Sequence, residues 1–201
     1  MKGIMHQRET VSAIQPLWSQ MQIKFQLGAV YKLLADDGQR IPWINLIHHN
    51  IARPRAIFTL WQACHKKLAT RDRLRQFGLL AYSECSFYPY EETHEHLFFE
   101  CEETKKIWKV FLLWIQIDHA PCSWSVEMSW LVNKTKGKGK LVALIRLAIA
   151  ETVYSVWRHM NDTCFGTRQH RDTIIKSIID TITYRGWYSK VLRAHIALLM
   201  L

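Results

Sequence analysis

The sequence predicts a mainly α protein: a helical bundle-like body carrying a small irregular Cys/His knuckle segment, with at most one or two short strands. Three observations lead there. Apolar residues recur at helical spacing in three separate stretches, 57–68, 145–160 and 174–182. Only QIKFQ, residues 22–26, alternates as a strand would. Cys85, His94, His96 and Cys101 crowd into one short irregular segment.

Taken in order, residues 1–22 have no clear period and read as a loose lead-in. QIKFQ follows as the strand and Ala29–Ala35 as a helix. WINLIHH, 43–49, reads as a short helical piece behind Pro42. Pro54 is a favourable first helical residue. Ile57, Leu60, Trp61, Cys64 and Leu68 then form one apolar stripe. Thr70 is placed to cap the helix RDRLRQF, and Gly78 to end it. Beyond the knuckle, ETKKIWKVFLLWI (103–115) is helical. NKTKGKGK, 133–140, is charged, glycine-bearing and without apolar anchors, so it reads as a basic linker. A long helix is expected from Leu141 to about Cys164, with Ile145, Ile149, Val153, Val156, Trp157 and Met160 on one side. Ile174, Ile175, Ile178, Ile179 and Ile182 mark a last helix, loosened at Gly186. The chain thus divides into a lead-in at 1–22, a domain at 23–132, the linker at 133–140 and a helical region at 141–201.

With 201 residues, 49% of them apolar, the chain can bury a core without covalent staples. Nine tryptophans need an interior or a partner surface. A formal charge of +10 points towards polyanions, most simply nucleic acid. Five scattered cysteines, and an N-terminus lacking the apolar core of a signal peptide, favour an intracellular, reducing compartment. No uncharged apolar run approaches the ~20 residues of a membrane span. The nearest, LVALIRLAIAETVYSVW, is interrupted by Arg146 and Glu151.

Several segments occur in a recognisable order: VYKLL at 30–34, IPWINLIHH at 41–49 and IARPRAIFTLWQACHKKLATRDRLRQFGL at 51–79, then ETHEHLFFEC at 92–101 and KKIWKVF at 105–111. Over residues 23–114 this order resembles the zinc-binding region that closes plant LINE-type (non-LTR) retrotransposon reverse transcriptases. A weaker likeness continues at 150–165 (AETVYSVWRHMNDTCF), where Met160 stands in place of the arginine usual in that family.

The resemblance implies a zinc ion held by three thiolates and an imidazole, with Cys85, His96 and Cys101 as three of the four ligands. The remaining position falls on Tyr88, and a phenol of pKa near ~10 is a poor replacement for a thiolate. His94, Glu91, Glu92 or a water is a candidate for the fourth place, each giving a weaker or more pH-sensitive site. The alternative is that Cys85 and Cys101 are buried thiols, His96 caps a turn, and zinc is lost. Tyr88 and Met160 together mark a degenerate copy, with a partial or vestigial zinc knuckle.

Between Arg53 and Gln76 lie seven basic residues, Arg53, Arg55, Lys66, Lys67, Arg71, Arg73 and Arg75, against Asp72 alone, which accounts for +6 of the chain's +10. Such a cluster suits phosphate contacts to RNA or DNA. The competing expectation is a repurposed protein–protein interaction module that meets its partner through a tryptophan-rich surface. LADDG at 34–38 superficially resembles a polymerase metal motif but lacks the flanking apolar strands, and adjacent His48 and His49 point in different directions on a helix. No nucleophile with an evident base is recognisable, and no polymerase or endonuclease site, so the expectation is a non-enzyme. A nuclear location follows from the family analogy alone.

Overall fold

The computed structural model describes residues 41–164, 166 and 169–200. QIKFQ, the Ala29–Ala35 helix, VYKLL and LADDG lie outside the described residues. From Pro42 onward the chain packs as one unit. It is built from helices α1 (Ile44–Ile47), α2 (Pro54–Cys64), α3 (Arg71–Gln76), a π-helical turn (His96–Glu100), α4 (Glu102–Trp114), α5 (Trp124–Lys134), α6 (Lys140–Cys164), α7 (Arg171–Trp187) and α8 (Arg193–Leu199). The mainly helical expectation holds. Among the described residues the sole β feature is an isolated bridge between Glu84 and Glu91.

Helix α6 is the axis of the body. Through its middle, Leu147 to Val153 are all buried, so it is enclosed on every side there rather than on one stripe. Its strongest neighbours are α2 and α7. Helix α2 starts at Pro54 as expected, but it turns Ala56, Thr59, Leu60 and Ala63 inward. Trp61 is exposed, and Ile57 and Cys64 are only half-buried. The expected stripe is therefore rotated: small side chains let α2 lie close against the thick waist of α6.

The two charges that break the apolar run of α6 are its fasteners. Glu151, wholly buried, accepts from the Arg53 backbone N–H at 2.8 Å and from Nε and Nη2 of the Arg53 guanidinium at 2.8 and 2.5 Å. Arg146 donates to the carbonyls of Thr135 and Gly137. Residues 135–139 connect α5 to α6, and both helices contribute to one core.

Gly78 has φ +71°, and the Leu79 N–H returns to the Leu74 carbonyl at 2.9 Å, so α3 ends as expected. The Thr70 hydroxyl, however, bonds the Asp72 carboxylate instead of a backbone N–H. Gly186 does not loosen α7. A Cβ there would sit 2.5 Å from Ile196 Cγ1, so the glycine is what lets α8 lie against the end of α7. Neither α5 nor α8 was expected from the sequence.

Candidate metal centre

Residues 83–92 form a narrow loop in which the Cys85 N–H donates to the Tyr90 carbonyl and the Glu92 N–H to the Ser83 carbonyl, both at 2.7 Å. These bonds turn the Cys85 side chain inward. The next turn is widened: the Cys101 N–H reaches the carbonyl of His96, five residues back, at 2.7 Å. His96, Leu97, Phe98 and Phe99 are all buried by this winding. Phe98 and Phe99 pack against Trp124, and Phe99 also against Trp108, which anchors the turn. Cys101 sits at the N-cap of α4.

The result is a cluster of Cys85, His96 and Cys101 whose ligand atoms lie within 4.8 Å of one another. The two sulfurs are 4.0 Å apart. Zn–S bonds of ~2.3 Å in a tetrahedron put two thiolates ~3.8 Å apart, so the spacing fits. His96 Nε2 is buried with no hydrogen-bond partner, which a coordinated ion would resolve. The hydrogen bond that the two sulfurs share pulls one thiol of the pair, Cys85, well below the usual range and pushes the other, Cys101, up. A dication would displace the remaining proton. Among the described residues the donor set is compatible with zinc.

No fourth Cys, His, Asp or Glu atom joins this cluster among the described residues. Glu92 instead faces Arg71 at 3.7 Å and accepts from the Arg71 backbone N–H. Glu91 pairs with Arg75 and accepts from Ser83. Tyr88 is half-buried, and burial and then the proximity of Cys101 and Glu103 push its phenol up, so it keeps its proton. Cys64, half-buried on α2, is pushed up to about 12 by burial and behaves as core rather than ligand.

His94, the other candidate for the fourth place, points elsewhere. Its ring lies edge-on to Trp124 at 4.3 Å and to Phe98 at 5.1 Å, and neither nitrogen has a hydrogen-bond partner. Burial pulls it down to about 4. A depressed histidine leaves the unfolded chain to take up the proton first, so its contribution to stability is lost as pH falls from 6.5 towards 4. The full loss is roughly 3 kcal/mol. Glu92, pushed up to about 7 by burial, works in the opposite sense, its penalty fading as pH falls from 7 to 4.5. His94→Phe isolates the histidine part. The variant is expected to gain stability relative to the natural chain on acidification, read as the difference in urea midpoints at pH 7 and pH 5.

The basic cluster is largely spent on internal contacts. Arg53 is held by Glu151, Lys66 by Glu95, and Arg75 by Glu91. Arg73 donates to the carbonyls of Lys66 and Leu68. Arg71 clamps the knuckle: it donates to the Glu84 carbonyl, the Ser86 hydroxyl and Cys164 Sγ, and faces Glu92. Arg55 and Lys67 alone of the seven are exposed without an ion pair among the described residues. The tryptophans likewise build the interior, and only Trp61 and Trp187 are exposed among those described.

Sequence reasoning missed Glu127. Its side chain is wholly buried and accepts from Trp108 Nε1 at 2.6 Å and from the Cys122 N–H at 3.2 Å, with His119 Nε2 at 2.9 Å. His119 in turn stacks on Trp130, ring centres 4.0 Å apart. This network holds α5 against α4, and α4 carries Cys101 at its first turn.

A family model described as zinc-binding in reverse transcriptase matches residues 25–108, a span containing Cys85, His96 and Cys101. No curated protein and no solved structure matches the chain. No described helix is long and apolar enough to cross a membrane.

Proposed function

We propose that this chain is a non-catalytic nucleic-acid-binding module, related to the C-terminal region of LINE-type reverse transcriptases, whose knuckle keeps a partial zinc site on Cys85, His96 and Cys101. One observation carries the reading: three soft donors converge within the very span that matches a zinc-binding region of reverse transcriptase. All three are buried, which suits an ion that shapes the turn rather than one that meets a substrate. The formal charge of +10 supports a polyanionic partner. Five free thiols suit a reducing compartment, and the nucleus is the location that the resemblance favours.

Zinc supplies a cross-link between the 83–92 loop and the start of α4. The hydrophobic anchors beside it are extensive, with Leu97, Phe98 and Phe99 at 2% exposure or less. Chelation is therefore expected to leave the fold standing, moving the melting temperature by less than about 4 °C, the equivalent of ~1 kcal/mol in a chain of this size. Melting of the whole chain by a chelator would overturn the scaffold part of this reading. For the nucleic-acid part, electrophoretic titration against single-stranded and duplex RNA and DNA at several salt concentrations is the test. A shift at low micromolar protein that weakens with salt is expected; its absence at low salt ends the proposal.

A second reading is a protein-interaction module. Phe77, Leu79 and Tyr82, each 69% exposed within six residues, favour it. Co-purification of one stoichiometric protein partner, lost on Leu79→Glu, would support that reading, particularly if no nucleic acid binds.

A further inference from the structure

Charge that could serve a polyanion also lies outside the segment where the sequence concentrates it. Four of the seven basic residues between Arg53 and Gln76 face carboxylates. At the other end of the chain, residues 181–201 hold Arg185, Lys190 and Arg193 and no acidic residue. Arg185 Nε donates to the Ile51 carbonyl and Arg193 Nε to the Trp187 carbonyl. Carbonyls fix the direction of a guanidinium without cancelling its charge, and its terminal nitrogens keep further donors.

Aromatic rings stand among these cations. Tyr184, Tyr188 and Trp187 are 63%, 68% and 47% exposed, unusual for side chains of this size. The two tyrosine rings are 4.9 Å apart at 53°, one helical turn from each other on α7. Tyr184 borders three concavities at once. The first, about 640 Å³, carries Arg53, Lys176, Arg185 and the hydroxyls of Ser177 and Thr181, with Asp180 as its one carboxylate. The second, about 270 Å³, lies between Ile51 and Tyr188. The third, about 490 Å³ and mostly apolar, is walled by Trp187, Tyr188 and Met200, with Asp180 at its border.

We infer that the C-terminal half of α7 and the start of α8 form a groove for single-stranded nucleic acid, in which Tyr184, Trp187 and Tyr188 stack on bases while Lys176, Arg185, Lys190 and Arg193 contact phosphates. Paired bases hide their faces inside the duplex, whereas an unpaired strand offers every base to a ring and every phosphate to a neighbouring cation. The arrangement reads no particular base edge, so it is tolerant of sequence. This rests on the nucleic-acid reading above and assigns that binding to a surface outside residues 25–108.

The test uses the full chain and 12-nucleotide polythymidine, polyuridine and a matched duplex, followed by fluorescence anisotropy. The natural chain is expected to bind both single strands more tightly than the duplex. Tyr184→Ala combined with Trp187→Ala should weaken single-strand binding by at least about thirtyfold, the lower end for two lost base stacks. Lys190→Ala with Arg193→Ala should flatten the salt dependence by about two phosphate contacts. Arg55→Ala with Lys67→Ala should weaken binding less than Lys190→Ala with Arg193→Ala does. Photo-cross-linking of 4-thiouridine oligonucleotides to the natural chain locates the contact without any variant, and peptides spanning 184–188 are expected.

If the natural chain binds no nucleic acid, the functional reading itself fails. If it binds but the aromatic variant and the cross-links spare 184–188, or the duplex is preferred, only this groove is refuted. Loss of self-association in the aromatic variant, with oligonucleotide affinity intact, would give the surface to a second copy of the chain instead.

Discussion

Tyr88→Cys is expected to bring the zinc content of the purified chain to about one equivalent, against a substoichiometric amount in the natural protein. Three donors already converge, with the sulfurs of Cys85 and Cys101 4.0 Å apart and His96 Nε2 without another partner. What the site lacks is a fourth anionic ligand that gives up its proton near neutral pH. The Tyr88 phenol is pushed the wrong way, by burial and by its neighbours Cys101 and Glu103. A thiol at that position ionises far more readily, and with it the ion gains three sulfurs and one nitrogen, a complete structural set. Elemental analysis of both proteins after dialysis against a weak chelator reads the result, and Cys85→Ser in the Tyr88→Cys background should cancel the gain. A full, tightly held equivalent in the natural chain would show that another group completes the shell and that the tyrosine is no handicap.

The largest loss of stability is expected at Glu127, a residue outside the metal centre. Glu127→Ala removes the acceptor of the Trp108 indole N–H and the Cys122 N–H and deprives His119 of its partner. Buried donors left without an acceptor cost about 1–3 kcal/mol each, and the vacated volume adds to that, so roughly 3–5 kcal/mol should be lost. This is a large fraction of the 5–15 kcal/mol typical of a domain. Glu127→Gln keeps the volume and can still accept from Trp108, but its amide then presents a donor to the Cys122 N–H, so an intermediate loss is expected. Urea denaturation followed by tryptophan fluorescence distinguishes the two. Equal stability of Glu127→Ala and the natural chain would mean that the network contributes nothing.

Much of the fold was legible because it follows from period and punctuation. Pro54, Gly78 and the isoleucines at 174–182 each mark an element that the structure contains. Which face of α2 turns inward was not legible, because hydrophobicity favoured Ile57 and Trp61. What decided it was the close approach of α6, met by Ala56 and Ala63 on either side of Leu60. Helix α5 could have been found: behind Ser123, the residues Trp124, Met128 and Leu131 recur at helical spacing, and Glu127 on the same face was the hint of a buried acceptor. At the candidate site, Cys85, His96 and Cys101 were identifiable from their spacing and from the family pattern. The rejection of His94 was not, since it depends on Trp124 arriving from a later helix to enclose the ring. The ion pairing of the basic cluster was not legible for a related reason. Its countercharges, Glu91, Glu92, Glu95 and Glu151, lie outside the 53–76 window, and Glu151 is nearly a hundred residues away.

That distance bears on how the chain comes to be made. Arg53 has no counter-ion, and the inner face of α2 no surface to lie on, until translation has passed Glu151. The first half therefore waits on the ribosome with Leu60 and its neighbours still wetted. A message truncated by a stop codon ahead of position 151 would release a fragment that no ion at the knuckle could rescue. Such a product lacks the α6 surface and the carboxylate on which α2 and Arg53 rest.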